Sequence, residues 1–308
     1  MRAAIVGAAG FLGTALCRHL RGNGWEVLGY DAAAGEQPAD GTRCDTLDVL
    51  RDEVRFPQGT DAAFYLAQSP WYREFPRSAD HLFGVNTFGA IKAAQAALAC
   101  GVRYFCYASS GNVYAPALGP LAEGHPVRRD DPYALSKLAA EEALGLFAGP
   151  MAVLAVRLFG LFGPGQKRML PASLLARVRS GKEIVLEPAV GEAGDTDGLV
   201  VSFTYVADAA RLLEQLARKA LAGTSLPSVL NVAGPEPISI RRFAEELGRA
   251  VGIEARLARA HGQRRFNLIA DLTLLRCVVR PQYTPLAEAV AKTCQAAFAA
   301  AGGLDPCR

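Results

Sequence analysis

A tyrosine and a lysine stand four residues apart in PYALSKLAA (132–140). On a helix, positions i and i+4 share a face, so Tyr133 and Lys137 would bring a phenol and an ammonium to one place. A phenol with an ordinary pKa of about 10 is a poor base near neutrality. A neighbouring positive charge stabilises the phenolate and lowers that value, which suits the pair to proton exchange with a hydroxyl group. The same spacing also fits a solvated helix face, so the pair needs company to mean chemistry. Ser110 in ASSGNVY (108–114) supplies it, twenty-three residues before Tyr133 and just after an apolar run. A serine at the C-terminal end of a buried strand can hold the oxygen that the tyrosine deprotonates.

The elements that must position these residues follow from hydrophobic patterning. Apolar runs at 3–7, 25–30, 62–67, 104–109 and 153–159 are predicted strands. Helical patterns at 11–22, 80–100 and 132–148 lie between them, and Asp131 with Pro132 is a fitting cap and first position for the last. The alternation predicts an α/β fold, a Rossmann-type doubly wound parallel sheet. After residue 163 the rhythm breaks into a GPGQ loop (163–166), a helix at 171–180 and an acidic turn at 191–198. A helix at 203–217, a strand at 228–234 and a helix at 238–252 follow. The expected organisation is a dinucleotide-binding domain, 1–163 plus about 203–234, and a smaller C-terminal substrate domain, 164–202 and 235–308.

The first predicted strand runs into Gly7-Ala8-Ala9-Gly10-Phe11-Leu12-Gly13. Glycines at this strand–helix junction permit a tight turn, close approach of a pyrophosphate and close helix packing. Asp31 closes the second strand, eighteen residues beyond Gly13, where a carboxylate can accept from both adenosine ribose hydroxyls. It would repel a 2′-phosphate, which favours NAD over NADP.

With this ordered set, the chain resembles the extended short-chain dehydrogenase/reductases, in particular their NAD-dependent epimerase/dehydratase branch. The resemblance implies that Gly7, Gly10, Phe11, Leu12 and Gly13 hold NAD, as do Asp31, Leu66, Ala67, Gln68, Tyr133 and Lys137. It puts Asp45 and Thr46 of CDTLD (44–48) at the adenine. It makes Ser110, Tyr133 and Lys137 catalytic, with Asn86 of GVNTFGA (84–90) as a structural or proton-relay asparagine. RLFGLFGPGQ (157–166) matches the strand and loop leading to the substrate, implying Ser110, Tyr133 and Gln166 as substrate contacts. A homodimer through the helices near 80–100 and 132–148 is also implied.

Departures limit the substrate assignment. YLAQ (65–68) replaces the usual His-Leu-Ala-Ala, and Gly111 and Asn112 stand where dehydratases and decarboxylases of the branch carry acids. Gly160 stands where nucleotide-sugar epimerases usually have asparagine, and no arginine precedes FTYVADAA (203–210). Lys167 and Arg168 are candidates to substitute for that partly missing diphosphate clamp, the other reading being a solvated loop. Trp71, Tyr72 and Arg73 are candidates for a lid or ring-stacking loop, whereas His125 is ordinary loop polarity. The first expectation is an NAD-dependent epimerase of a nucleotide sugar, acting through a transient ketone. An NAD(P)H-dependent ketoreductase or dehydrogenase of a keto-sugar or other small carbonyl compound is the alternative. A non-catalytic dinucleotide-binding protein is the remote one.

Composition bounds these readings. The 308 residues are 51% hydrophobic with a net charge of only +3, and no basic run gives nucleic acid a footprint. No apolar stretch reaches the ~18 residues of a membrane span, and no signal peptide is evident. Seven scattered cysteines and four dispersed histidines predict reduced thiols in a cytoplasmic protein without a metal site.

Overall fold

Seven parallel strands form the central sheet: β1 (Arg2–Val6), β2 (Glu26–Asp31), β3 (Cys44–Thr46), β4 (Ala62–Tyr65), β5 (Tyr104–Ser110), β6 (Ala152–Leu158) and an edge strand at Val229–Val232. The computed structural model describes residues 1–32, 44–192 and 194–300. The sheet order is edge strand, β6, β5, β4, β1, β2, β3. From β1 the chain winds one way through β2 to β3, then the other way through β4, β5 and β6. This reversal opens a crevice at the C-terminal ends of β1 and β4, the position where open α/β sheets take ligands.

In chain order the helices are α1 (Phe11–Gly22), α2 (Ala79–Phe83), α3 (Ala90–Ala99), α4 (Pro132–Gly145), α5 (Met169–Arg179), α6 (Val206–Leu221), α7 (Ile240–Val251), α8 (Thr273–Val278) and α9 (Leu286–Ala300). One sheet face buries Ile5, Phe64 and Leu154 against α1 and α6. Leu12, Leu16 and Leu20 recur every fourth residue and form the inward stripe of α1. Buried Glu214 ties α1 to α6, accepting from Trp25 Nε1 at 2.9 Å and Arg218 Nε at 2.8 Å, with His19 Nε2 at 2.7 Å. The opposite face buries Val6, Tyr65 and Tyr107 under α3 and α4. Ala90, Ala93, Ala94 and Ala97 make the inward stripe of α3, and such small side chains allow close approach to the sheet.

A third apolar cluster gathers Leu174, Val178, Ile184, Phe243 and Val290 around Phe203, which stacks on Phe243 at 4.2 Å between centroids. Buried Asp208 anchors the approach to α9 by accepting from Thr284 N at 2.9 Å and Thr284 Oγ1 at 2.8 Å.

Several elements differ from expectation. The helix over 80–100 is three pieces, with a π-helical turn, Gly84–Gly89, between α2 and α3. The helix expected from 203 starts at Val206, because Thr204–Tyr205 pairs with Leu161–Phe162 as a short strand. β3, α8 and α9 have no counterpart in the sequence reading, and Cys307 lies outside the described residues. Six cysteines among the described residues form no disulfide, and no helix there is long and apolar enough to cross a membrane.

Candidate active site

A cleft of about 820 Å³ opens at the switch point and runs from the glycine loop to the C-terminal elements. Gly7 adopts φ +89°, and a Cβ there would stand 2.7 Å from Ala67 N, so only glycine lets β1 and β4 release the chain this closely. A Cβ at Gly13 would run into the Gly7 carbonyl. α1 begins at Phe11 without a side-chain cap, so its first-turn N–H groups are available to a phosphate at the cleft wall, where Gly10, Phe11 and Leu12 lie. Asp31 Oδ2 accepts from Ala9 N at 3.0 Å, which pins the carboxylate against this loop.

At the same end, the wall is made by Leu47, Asp48 and Val49. Leu47 N donates to the Asp31 carbonyl at 2.8 Å and carries this segment past the end of β2. Asp45 and Thr46, the residues expected at the adenine, are exposed and off the wall, because β3 ends before the chain turns into the cleft. The sequence signal for 47–49 was present but displaced: the apolar–acid–apolar triplet LDV follows directly.

Midway along the cleft, Ser110 ends β5, and Tyr133 and Lys137 rise from the first two turns of α4. Asp131 caps that helix through Ala134 N at 2.8 Å. Ser110 is the hydroxyl neighbour of the Tyr133 phenol on the cleft wall, and Tyr133 Oη donates to Gln68 Oε1 at 3.0 Å. Lys137 Nζ donates to the Ala108 carbonyl at 2.9 Å and lies 5.0 Å from the Tyr107 ring centre and 5.9 Å from that of Tyr133. Burial pushes the Tyr133 phenol up to about 12, against the Ser110 hydrogen bond that favours its charged form. Burial likewise brings the Lys137 ammonium down to about 7, opposed by the Glu141 carboxylate. In the protein alone the phenol is shifted up rather than down, because desolvation outweighs the lowering by Ser110.

Asn86 is fully buried and does not reach the cleft wall. Its Oδ1 accepts from Ser69 N at 3.0 Å and its Nδ2 donates to Ser136 Oγ at 2.9 Å. Ser136 Oγ donates in turn to the Tyr133 carbonyl at 2.8 Å, so Asn86 fixes α4 against the segment after β4. The π turn presents this asparagine. A wider turn frees backbone carbonyls, and two buried phenols take them: Tyr65 Oη donates to Val85 O at 2.6 Å and Tyr107 Oη to Asn86 O at 2.8 Å.

Behind Lys137 lies a layer the sequence did not reveal. Glu141 pairs with Arg157 at 2.6 Å, both side chains are nearly buried, and Ser109 Oγ donates to Glu141. Glu141 sits in SKLAAEEAL, where it looks like any exposed helix glutamate.

Over the phenol, the Tyr72 ring lies 5.2 Å from that of Tyr133, and its hydroxyl reaches across the cleft to Met169 Sδ at 3.3 Å. Met169 holds φ +77°, a costly conformation for a side chain of its size. His81 on the wall pairs with Ser69 Oγ at 2.9 Å and was not singled out from the sequence. Leu66, Ala67, Gln68 and Gln166 line the cleft as expected; Lys167 and Arg168 are exposed and off its wall. His125 stands 3.2 Å from the Ala115 carbonyl, outside the cleft.

A glycine cradle in which Gly7 and Gly13 leave no room for a Cβ, an uncapped helix N-terminus and a carboxylate beside it fit a dinucleotide, and the fold and site define a Rossmann-type enzyme of the extended short-chain dehydrogenase/reductase class. The family model of the NAD dependent epimerase/dehydratase family matches residues 3–233, and the chain belongs to that family, with NAD as its cofactor. It is 28% identical over 270 residues to a 2-alkyl-3-oxoalkanoate reductase of Stenotrophomonas maltophilia, covering 82% of this chain and 76% of the relative. It is 23% identical to an uncharacterised UDP-glucose epimerase, YtcB of Bacillus subtilis, over 83% and 84% of the two chains. Among solved structures, a UDP-N-acetylglucosamine 4-epimerase from Methanobrevibacter ruminantium superposes with a TM-score of 0.81 at 19% identity, covering 97% of this chain and 98% of that one. MoeE5 in complex with UDP-glucuronic acid and NAD superposes with a TM-score of 0.76 at 23% identity, covering 97% and 100%.

Proposed function

We propose that this chain transfers hydrogen between NAD and a carbinol carbon, with Tyr133 exchanging the proton of the substrate oxygen. The observation that carries this reading is the convergence of Ser110, Tyr133 and Lys137 in a cleft whose other end is the glycine loop. Bound NAD supplies the hydride acceptor, and its reduced form the donor. In the reductive direction Tyr133 gives its O–H proton to the carbonyl oxygen as the carbonyl carbon gains the hydride, leaving an alcohol. Ser110 donates to the same oxygen. Lys137, buried beneath the phenol, supports the charge that develops on Tyr133. Gly111 and Asn112 offer no acid or base, so elimination of water and decarboxylation have no catalyst here. Tyr133→Phe removes the exchanged proton and should cost about 10²–10⁴ in turnover, with NAD affinity by calorimetry unchanged. A fully active Phe variant would end the assignment.

Two outcomes share this step. In a nucleotide-sugar epimerase the ketone turns over and takes the hydride back; the UDP-glucose epimerase among the relatives supports it. In a net ketoreductase NADH is spent in each cycle. The 2-alkyl-3-oxoalkanoate reductase among the relatives supports this outcome. NADH consumed mole for mole with product marks the reductase; turnover without net NADH loss marks the epimerase.

The working unit of this reading is a homodimer. α2 and α3 pack beside α4, and Phe88, Leu98 and Leu146 are exposed on these elements or at their ends. Light scattering should give twice the chain mass.

A further inference from the structure

We infer that the substrate is an apolar ketone, or the matching secondary alcohol, and carries no nucleotide diphosphate. The inference rests on the hydride-transfer reading and concerns what fills the cleft beyond Tyr133. That part of the wall is built mainly from Leu161, Met169, Leu170, Val201, Phe203 and Leu268, with Gln166 supplying one buried amide oxygen. Gly160, between β6 and this wall, has φ +45°, and a Cβ there would meet Val201 Cγ1 at 2.7 Å and Phe203 Cδ1 at 3.1 Å. The space that a polar side chain at 160 would need is therefore taken by hydrocarbon.

A diphosphate brings two negative charges and needs cations or free backbone donors around it. Lys167 and Arg168 are off the wall, and Lys137 is committed to Ala108 O at 2.9 Å. Arg264 is buried in an ion pair with Asp195. Arg73 is the remaining cation of the wall, exposed, with its guanidinium 5.3 Å from the Tyr72 ring centre. One solvated guanidinium leaves room for a single anionic group on the substrate. The N-terminus of α5 faces the same chamber, but Pro171 has no N–H, and Met169 and Leu170 cover that turn with apolar side chains. Burial of hydrocarbon is the interaction this wall offers.

The test is binding to NAD-loaded Tyr133→Phe protein, which separates recognition from chemistry. Affinity for 2-alkanols should rise about fourfold per methylene from 2-butanol to 2-octanol, the gain expected for burying each CH₂. UDP and UDP-glucose at millimolar concentration should not displace 2-octanol. Leu170→Asp puts a charge at an exposed wall position and should weaken 2-octanol binding at least tenfold, leaving NAD affinity unchanged. Micromolar binding of UDP, conversion of UDP-glucose by the wild-type enzyme, or alkanol affinity independent of chain length would each overturn the inference. Failure of the wild-type enzyme to reduce 2-octanone while the alcohol binds as stated would strike the hydride-transfer reading and leave the recognition standing.

Discussion

Tyr133 Oη donates to Gln68 Oε1 at 3.0 Å, joining the phenol we propose as proton donor to a residue that follows β4. The amide oxygen accepts only from the protonated phenol, so Gln68 adds to the desolvation that keeps Tyr133 neutral. Gln68→Leu removes that acceptor at a half-solvated position. Oxidation of an alcohol, which needs the phenolate, should accelerate a few-fold at pH 8, while reduction slows or is unchanged. Initial rates in both directions check the asymmetry.

The pH profiles of the two directions should differ for the same reason. With Tyr133 held protonated to about 12, ionisation of the phenol should cost reduction nothing from pH 6 to 9, and a step near pH 7 would mark Lys137. Oxidation should climb with pH over that interval, because deprotonation of Tyr133 is its first requirement. Steady-state rates at saturating cofactor are the measurement.

In the proposed binding mode the dinucleotide comes closest at Gly10. Its backbone, φ −68° and ψ 170°, is open to any residue, and a Cβ would lie 3.1 Å from the Gly7 carbonyl. Gly10→Ala should therefore change stability by under about 1 kcal/mol, yet place a methyl at the pyrophosphate and weaken NAD at least tenfold. Calorimetry and a melting curve separate the two effects.

Lys137 gives stability a pH dependence of definite sign. Its folded pKa of about 7 lies below the unfolded value of 10.5, so between these limits the unfolded chain binds more protons. Stability then rises with pH across that window, by up to ~1.4 kcal/mol per unit for one group. Lys137→Met lacks this titration. Wild type should gain on the variant from pH 7 to 10 in denaturant midpoints, and parallel curves would contradict it. The variant should also lose turnover.

Asn86 acts on Tyr133 through Ser136. Asn86→Ala leaves Ser69 N unpaired in the interior and takes from Ser136 Oγ the donor it accepts from, and should cost about 1–3 kcal/mol in chemical denaturation. At temperatures where it stays folded, kcat should fall with NAD affinity kept.

What the sequence made legible were features written in local pattern. Short continuous apolar runs located β1, β2, β4, β5 and β6, and the positions of Gly7, Ser110, Tyr133 and Lys137 gave the cleft its order. What it hid were contacts made by tertiary packing. The π turn depends on Tyr65 and Tyr107 lying beneath it, and no local signal in GVNTFG announces a wider turn. Glu141 becomes a buried partner only because Arg157 on β6 faces α4. Lys167 and Arg168 carried the right charge for a clamp, but the turn into α5 leaves them exposed and presents Met169 and Leu170 instead. The direction of the Tyr133 shift was likewise set by burial, which spacing along a helix does not encode.

Isotope transfer tests the central proposal most directly. The enzyme would be incubated with NADH deuterated at C4 on the transferred face and a pooled panel of 2-octanone, 3-oxooctanoate and a UDP-4-keto-sugar, and the alcohol products weighed by mass spectrometry. The account predicts one deuterium at the new carbinol carbon with wild type, and loss of that label by at least a hundredfold in rate with Tyr133→Phe. Label absent from every product, or delivered equally fast by the Phe variant, would contradict it.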